Sequence, residues 1–209
     1  MIEYRNSGGD APCLHLASAS ARRVDLLQSL GLSFSAAGVD IDESQFDGEP
    51  ATDMVQRLAT SKARAAAGAS KRPILGSDTV VVHEQTVFGK PASQSDALRM
   101  LDRLSGGDHE VLTAVAVLYQ GQMLLTMSAT RVRFRDITPD EMQRYWQTGE
   151  PQGKAGAYAI QGIAGVFVEA IEGSYSGVVG LPVYETAKLL QDVNIDVPAI
   201  AVPERSHPL

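Results

Sequence analysis

The segment Pro73–Val82, PILGSDTVVV, restricts the possible folds of this chain more than any other stretch. Near-continuous apolar residues over so short a length mark a strand covered on both faces, so further layers must lie on either side of it. Asp78 stands in its middle, within Gly76-Ser77-Asp78-Thr79, and this polar tetrapeptide is expected to break the strand. A carboxylate buried there is costly unless a cation or a metal ion answers its charge. In the other reading the strand stops at Leu75 and Asp78 caps a turn.

The flanking patterns alternate between helical and extended periods. Cys13 to Ala17 (CLHLA) reads as a short buried strand, and Ser20 as the N-cap of a helix over Ala21 to Leu30 that Gly31 stops. Ser33 to Val39 is strand-like and leads into the acidic turn Asp40-Ile41-Asp42-Glu43. From Thr52 to Ala69, apolar residues at Met54, Val55, Leu58, Ala59, Ala63 and Ala66 predict a long amphipathic helix. Ser93 with Asp96, and Thr138-Pro139 with Glu141, are capping signatures that open two further helices. Between them, 109–119 and 123–135 form an antiparallel hairpin about Gln120-Gly121-Gln122. That hairpin accounts for the charge-free stretch Val111 to Thr130, which is otherwise about the length of a membrane span. The glycine-rich segment Gly149 to Gly165 precedes a strand at 166–171, and Leu181-Pro182 opens a last helix to about Asn194. The expected architecture is α/β, a mixed sheet flanked by helices. A single domain over 13–196 is expected, with flexible ends at 1–12 and 197–209.

Composition excludes several classes of function. With 44% apolar and 21% charged residues in 209, the chain is globular rather than disordered. Lys and Arg number 18 against 25 Asp and Glu, a net charge of -7, which argues against nucleic acid or an anionic membrane as partner. One cysteine, Cys13, makes no internal disulfide, and Met1 to Asp10 has no apolar run, so a cytoplasmic location is expected.

Few segments carry chemistry by themselves. His15, His83, His109 and His207 are scattered and supply no metal cluster. Gly149 to Ala155 (GEPQGKA) is one residue short of a P-loop and has Ala155 where the metal-binding hydroxyl belongs. Ser18 to Arg23 (SASARR), at a strand-to-helix junction, places hydroxyls, amides and two guanidinium groups at a positive helix end. That is an anion-binding design, or an ordinary serine cap beside two solvated arginines. Lys62 falls on the apolar face of its helix, where a lysine that snorkels to solvent is the usual explanation. Lys90, in FGKP, says nothing alone. The glycines of Lys154 to Gly165 either make tight turns or let backbone approach a ligand, for which Gln161 offers a two-sided amide. Gly173 to Gly177 (GSYSG) divides between the same two readings.

Together, SASARR, the SKARA around Lys62, GSDTVV, GKP, KAGAYAIQG and GSYSGVVGLP resemble, in order and approximate spacing, the motifs of the Maf family of nucleoside triphosphate pyrophosphatases. The resemblance covers about residues 13–193. It implies a fold related to inosine triphosphatases, two lobes about a nucleotide cleft, and a homodimer. By motif position, it implies that Ser18, Arg22 and Arg23 meet phosphates, with Lys154 also binding substrate, and that Lys62 and Lys90 hold the triphosphate. Asp78 and Glu43 would serve catalysis and a divalent cation, Mg2+ with Mn2+ as alternative. Thr79 and Gln161 would contact the base, as in the branch acting on dTTP and UTP. The resemblance also admits a different class, a regulatory nucleotide-binding protein affecting septum formation. Departures from the family pattern are Ala21 for proline, Gly153 for an aspartate, and Gly177 for asparagine.

Overall fold

A computed structural model describes residues 1–197. Most of the expected C-terminal tail, 198–209, therefore lies outside the described residues. The elements follow in order β1 (Ile2–Tyr4), β2 (Leu14–Leu16), α1 (Ala21–Ser29), β3 (Phe34–Ala36), α2 (Ala51–Ala65), β4 (Ile74–His83), β5 (Thr86–Phe88), α3 (Gln94–Leu104), β6 (Asp108–Tyr119), β7 (Gln122–Phe134), α4 (Pro139–Gln147), β8 (Val168–Glu172), α5 (Tyr175–Val179) and α6 (Val183–Gln191). One mixed sheet runs β1-β3-β2-β4-β6-β7-β8, with β5 beside β4.

The polar tetrapeptide does not break β4. Its ladder with β6 continues through Gly76↔Ala116, Ser77↔Val115, Asp78↔Ala114 and Thr79↔Thr113. Each polar side chain there finds a partner, so burial leaves nothing unpaired: Ser77 Oγ donates to Gly180 O at 3.2 Å, and Asp78 accepts from Lys62.

Side chains on a strand alternate between faces, and β4 divides its residues accordingly. Ile74 and Val80 pack into a core with Val55, Leu58, Ala59 and Ala63 of α2. Leu75 packs on the opposite face with Val24 and Leu27 of α1 and Leu189 and Leu190 of α6. Asp78 is thereby turned toward α2 and Thr79 toward α1. Gly76 sets how close α2 comes. A Cβ there would strike the carbonyl oxygen of Ala59 and lie 2.7 Å from Ala63 N.

The sheet opens beside β4. β2 runs parallel to it only at His15↔Ile74 and Leu16↔Leu75, and β5 pairs antiparallel only from Val81↔Phe88 onward. Between those two neighbours one edge of β4, from Gly76 to Val80, has no strand beside it among the described residues. A crevice at the carboxyl end of a parallel strand is where α/β sheets hold ligands.

Several local expectations change in detail. Within the first twelve residues, expected to be loose, Ile2–Tyr4 pairs antiparallel with Phe34–Ala36, because β3 would otherwise be an open edge. Ser20 occupies the N-cap position of α1 but its hydroxyl caps nothing. The strand expected at 166–171 is Val168–Glu172, preceded by a 3-10 turn at Ile163–Phe167. GSYSG belongs to a short extra helix, α5, capped by Ser174 onto Gly177 N. Thr138 and Glu141 form the expected capping box, and Ser93 accepts from Asp96 N. The β6–β7 hairpin turns on Gln120 (φ 49°) and Gly121 (φ 80°), the two positive dihedrals of a tight two-residue loop. No helix among the described residues is long and apolar enough to cross a membrane.

Gly76→Val should force α2 off the sheet and cost about 1–3 kcal/mol, the usual penalty for overpacking. Thermal unfolding checks this, with roughly 2–4 °C of midpoint lost per kcal/mol; an unchanged midpoint would show that the helix does not rest on Gly76.

Candidate functional site

The crevice beside β4 is a cleft of about 700 Å³. Its lining includes Ser18, Arg22, Arg23, Glu43, Lys62, Asp78, Thr79, Lys90, Lys154 and Gln161, the ten residues to which the resemblance gives roles, but nothing of Gly173–Gly177. Five cations face two carboxylates there, so the cleft is a basic pocket in an acidic protein.

On the α2 side, lysines and carboxylates alternate. Lys62 Nζ lies 2.6 Å from Asp78 Oδ1 and 2.6 Å from Glu43 Oε1, and Lys90 Nζ lies 2.8 Å from Glu43 Oε2. Lys62 and Asp78 are only 8% and 7% exposed, so Lys62 is held by internal anions and does not snorkel. Burial pushes the Glu43 carboxyl up, but the hydrogen bonds and charges of Lys62 and Lys90 outweigh it and bring it down to about 2. Glu43 is thus ionised at any working pH. Its loop is secured by Arg57, which pairs with Glu49 (Nη2 to Oε2, 2.7 Å), donates to Ser44 O at 2.9 Å and covers the Phe46 ring at 3.9 Å.

Across the cleft, α1 brings the arginines to the carbonyls that end α5. Arg22 Nε donates to Val179 O at 3.1 Å and Arg23 Nε to Gly180 O at 2.9 Å. Arg23 also donates to Thr79 Oγ1 at 3.2 Å and to Ser18 Oγ at 3.4 Å. Burial lowers both guanidinium pKa values from a very high start, and Asp78 offsets part of this at Arg23. Since the Ser20 hydroxyl does not cap α1, no side-chain cap competes with a ligand for its first amides. SASARR is therefore not an ordinary serine cap beside two solvated arginines.

Thr79 lies 3.0 Å from Thr113 Oγ1, which is 2.8 Å from Gly177 O. Thr113 Oγ1 is the donor toward both Thr79 Oγ1 and Gly177 O, and Thr79 also accepts from Arg23.

The third wall is the segment from Gly153 to Gln161. Gly156 (φ 66°) packs so tightly on Val81 that a Cβ would sit 3.0 Å from its methyl. Gln161 is exposed at the rim. Lys154 Nζ donates only to Gln152 O, at 3.1 Å, among the described residues. The segment is clamped from behind by two residues that sequence reasoning missed. Glu150 accepts from Ile163 N at 2.9 Å, Ala164 N at 3.1 Å and Tyr145 OH at 2.8 Å, while Tyr145 OH accepts from Ala159 N at 3.3 Å. Glu150 lies in GEPQGKA, set aside above for lacking a P-loop's spacing. A carboxylate just before a glycine-rich stretch was the available signal, as it can collect loop amides. Thr113 and Arg57 gave none, since their partners are remote in sequence.

No cluster of three or more His, Cys, Asp or Glu able to hold a metal ion exists among the described residues. Glu43 and Asp78 converge as a pair. Two carboxylates with phosphate oxygens and water completing the shell suit Mg2+, which is rarely held by an all-protein cage.

A model of the Maf-like protein family matches residues 13–193. The chain belongs to the Maf family. Its relatives include a protein of Bordetella parapertussis, 51% identical over 90% of this chain and 96% of that one, described as a dTTP/UTP pyrophosphatase. Proteins with the same description from Pseudoalteromonas translucida (51%; 85% of this chain, 95% of that one) and Hahella chejuensis (50%; 88% and 94%) match similarly. Among solved structures, the Staphylococcus aureus Ham1 protein aligns with a TM-score of 0.42 and 13% identity over 59% of this chain and 72% of that one, too slight a likeness to bear on function.

Glu150→Gln turns an amide N–H2 toward backbone N–H groups that need an acceptor. It should cost about 1–3 kcal/mol and speed hydrogen exchange at residues 159–164. Unaltered exchange there would remove Glu150 as the clamp of this wall.

Proposed function

We propose that this protein hydrolyses dTTP and UTP between the α and β phosphates, releasing the nucleoside monophosphate and pyrophosphate. The convergence of five cations with two carboxylates in one cleft carries this reading, since a triphosphate needs the first and its hydrolysis the second. A protein that only bound nucleotide would avoid carboxylates facing the phosphates unless a metal ion mediated between them. The descriptions of relatives at about half identity support the same activity.

In this mechanism Arg22, Arg23, Ser18 and the first amides of α1 grip one part of the triphosphate, while Lys62, Lys90 and Lys154 answer the rest. Asp78, one of whose oxygens is tied to Lys62 and whose other accepts no hydrogen bond from the described residues, orients the attacking water and takes its proton. Glu43, whose carboxyl two lysines hold below the usual carboxylate range, stays ionised beside it. Water adds its oxygen at one phosphorus, the anhydride P–O bond breaks, and no covalent enzyme intermediate forms. Glu43 and Asp78 would hold Mg2+, which supplies charge neutralisation to the phosphate oxygens. At the base, Gln161 presents a donor and an acceptor to the O4 and N3–H edge of uracil or thymine, with the Thr79 hydroxyl beside it; cytosine reverses that edge. The unpaired Cys13 fits a reducing cytoplasm.

The β7 edge supports a homodimer. β8 covers only Arg131–Phe134, so among the described residues no strand pairs with the outer edge of Gln122–Thr130, a run without charge or proline. The opposite edge, β1, is three residues long and carries Glu3. Proteins guard edges as β1 does, and two copies of β7 pairing antiparallel would protect the other. Leu125→Lys, placing like charges at that pairing, should shift the molecule to monomer in sedimentation; a wild type already monomeric would refute the dimer.

Pyrophosphate release measured with dTTP, UTP, CTP, ATP and GTP tests the activity. The first two should be cleaved fastest, EDTA should stop the reaction reversibly, and Gln161→Leu should narrow the preference by roughly ten- to a hundredfold. Asp78→Asn should lower kcat about 100-fold or more while remaining folded, because Lys62 keeps Glu43 as partner. Release from no nucleotide, or from purines first, would overturn the assignment.

A further inference from the structure

Lys62 binds two carboxylates at once, and they are the two that the cleft offers a divalent cation. Its ammonium is 2.6 Å from an oxygen of each. Ligand oxygens lie about 2.0–2.1 Å from Mg2+, no farther than these oxygens lie from Nζ. A dication taking the same oxygens would press against a like charge in a partly dry site, where repulsion is only weakly screened.

The ammonium has nowhere else to go. Its stem lies on the buried face of α2 beside Leu58, Ala59 and Ala63, and the side chain is 10% exposed. Glu43 and Asp78 are the only carboxylates lining the cleft among the described residues. Lys90, 62% exposed, can leave Glu43 for solvent; Lys62 cannot leave without stranding a buried charge. A triphosphate brings the missing anion, since its oxygens can accept the Lys62 N–H bonds as the carboxylates turn to the cation.

We infer that Lys62 is a counter-ion gate: it holds free divalent cations off Glu43 and Asp78, and the cleft accepts the cation only with a nucleoside triphosphate whose phosphates take over the ammonium. The substrate of the proposed reaction is then the cation–nucleotide complex, and binding of the two is reciprocally coupled. This rests on the proposed function for the identity of the anion, but the gate itself is testable without turnover.

The test is Mn2+ binding to nucleotide-free protein, followed by loss of the free-ion electron paramagnetic resonance signal. Removing the competing ammonium in Lys62→Met should tighten Mn2+ binding by at least about tenfold, within the span usual for coupled sites, although the same change should cripple hydrolysis. Lys62→Arg keeps a cation between the carboxylates and should bind Mn2+ as weakly as wild type. Adding Glu43→Gln to Lys62→Met should abolish the gain, locating the ion. Thermal unfolding verifies that each variant is folded, and Lys62→Gln, whose amide still donates to Asp78, replaces Lys62→Met if the latter is not. Mn2+ binding no tighter in the folded Met or Gln variant than in wild type overturns the gate. Tighter binding in the variant, together with a wild type that cleaves no nucleotide, would uphold the gate and overturn the proposed reaction.

Discussion

The ion pair between Lys62 and Asp78 is the constraint around which the molecule is arranged. A carboxylate in the central strand of a buried sheet is tolerable only with a cation at hydrogen-bond distance, and α2 supplies that cation from its apolar face. For the ammonium to reach, the helix must lie almost on the strand. Gly76, two residues before Asp78 on the same face, and Ala59 and Ala63 opposite remove the side-chain bulk that would keep the layers apart. Small residues in the packing and charged residues in the site are thus one feature seen at two levels.

A second consequence follows from the path of β4. Because β2 stops at Leu16 and β5 begins only opposite Val81, the middle of β4 is open along one edge, and consecutive residues there serve opposite walls. Asp78 joins the lysine and carboxylate chain under α2, and Thr79 joins the arginines anchored on the carbonyls at the end of α5. Period-two alternation alone brings two chemically different half-sites to adjacent residues.

The walls are held by contacts that never face the cleft. Arg57 ties down the loop of Glu43 through Glu49, and Glu150 gathers the amides behind Gln161. Loops of this length would otherwise sample many conformations, and ordering them beforehand lowers the entropic cost of gripping a ligand. The balance of charge is also local. A chain with net charge -7 concentrates cations on one concave surface, which favours a polyanion there and leaves the rest of the surface acidic.

Much of this was legible in the linear sequence because the information is local. The apolar run of β4, the capping box at Thr138, the existence of the hairpin and the helical spacing of α2 each follow from neighbouring residues and elementary stereochemistry. The candidate residues were legible as ordered motifs, and all of them line one cleft. What remained open was every question whose answer lies across a long stretch of chain. Whether Asp78 continued a strand or capped a turn depended on a lysine sixteen residues earlier and on a ladder with β6. Whether Lys62 snorkelled depended on Glu43 reaching it from a loop, and β1 as a strand depended on β3 needing a neighbour. Periodicity reports which face of an element is apolar, but the partner of a buried charge or an open edge is set by which elements meet, and only the tertiary structure decides that.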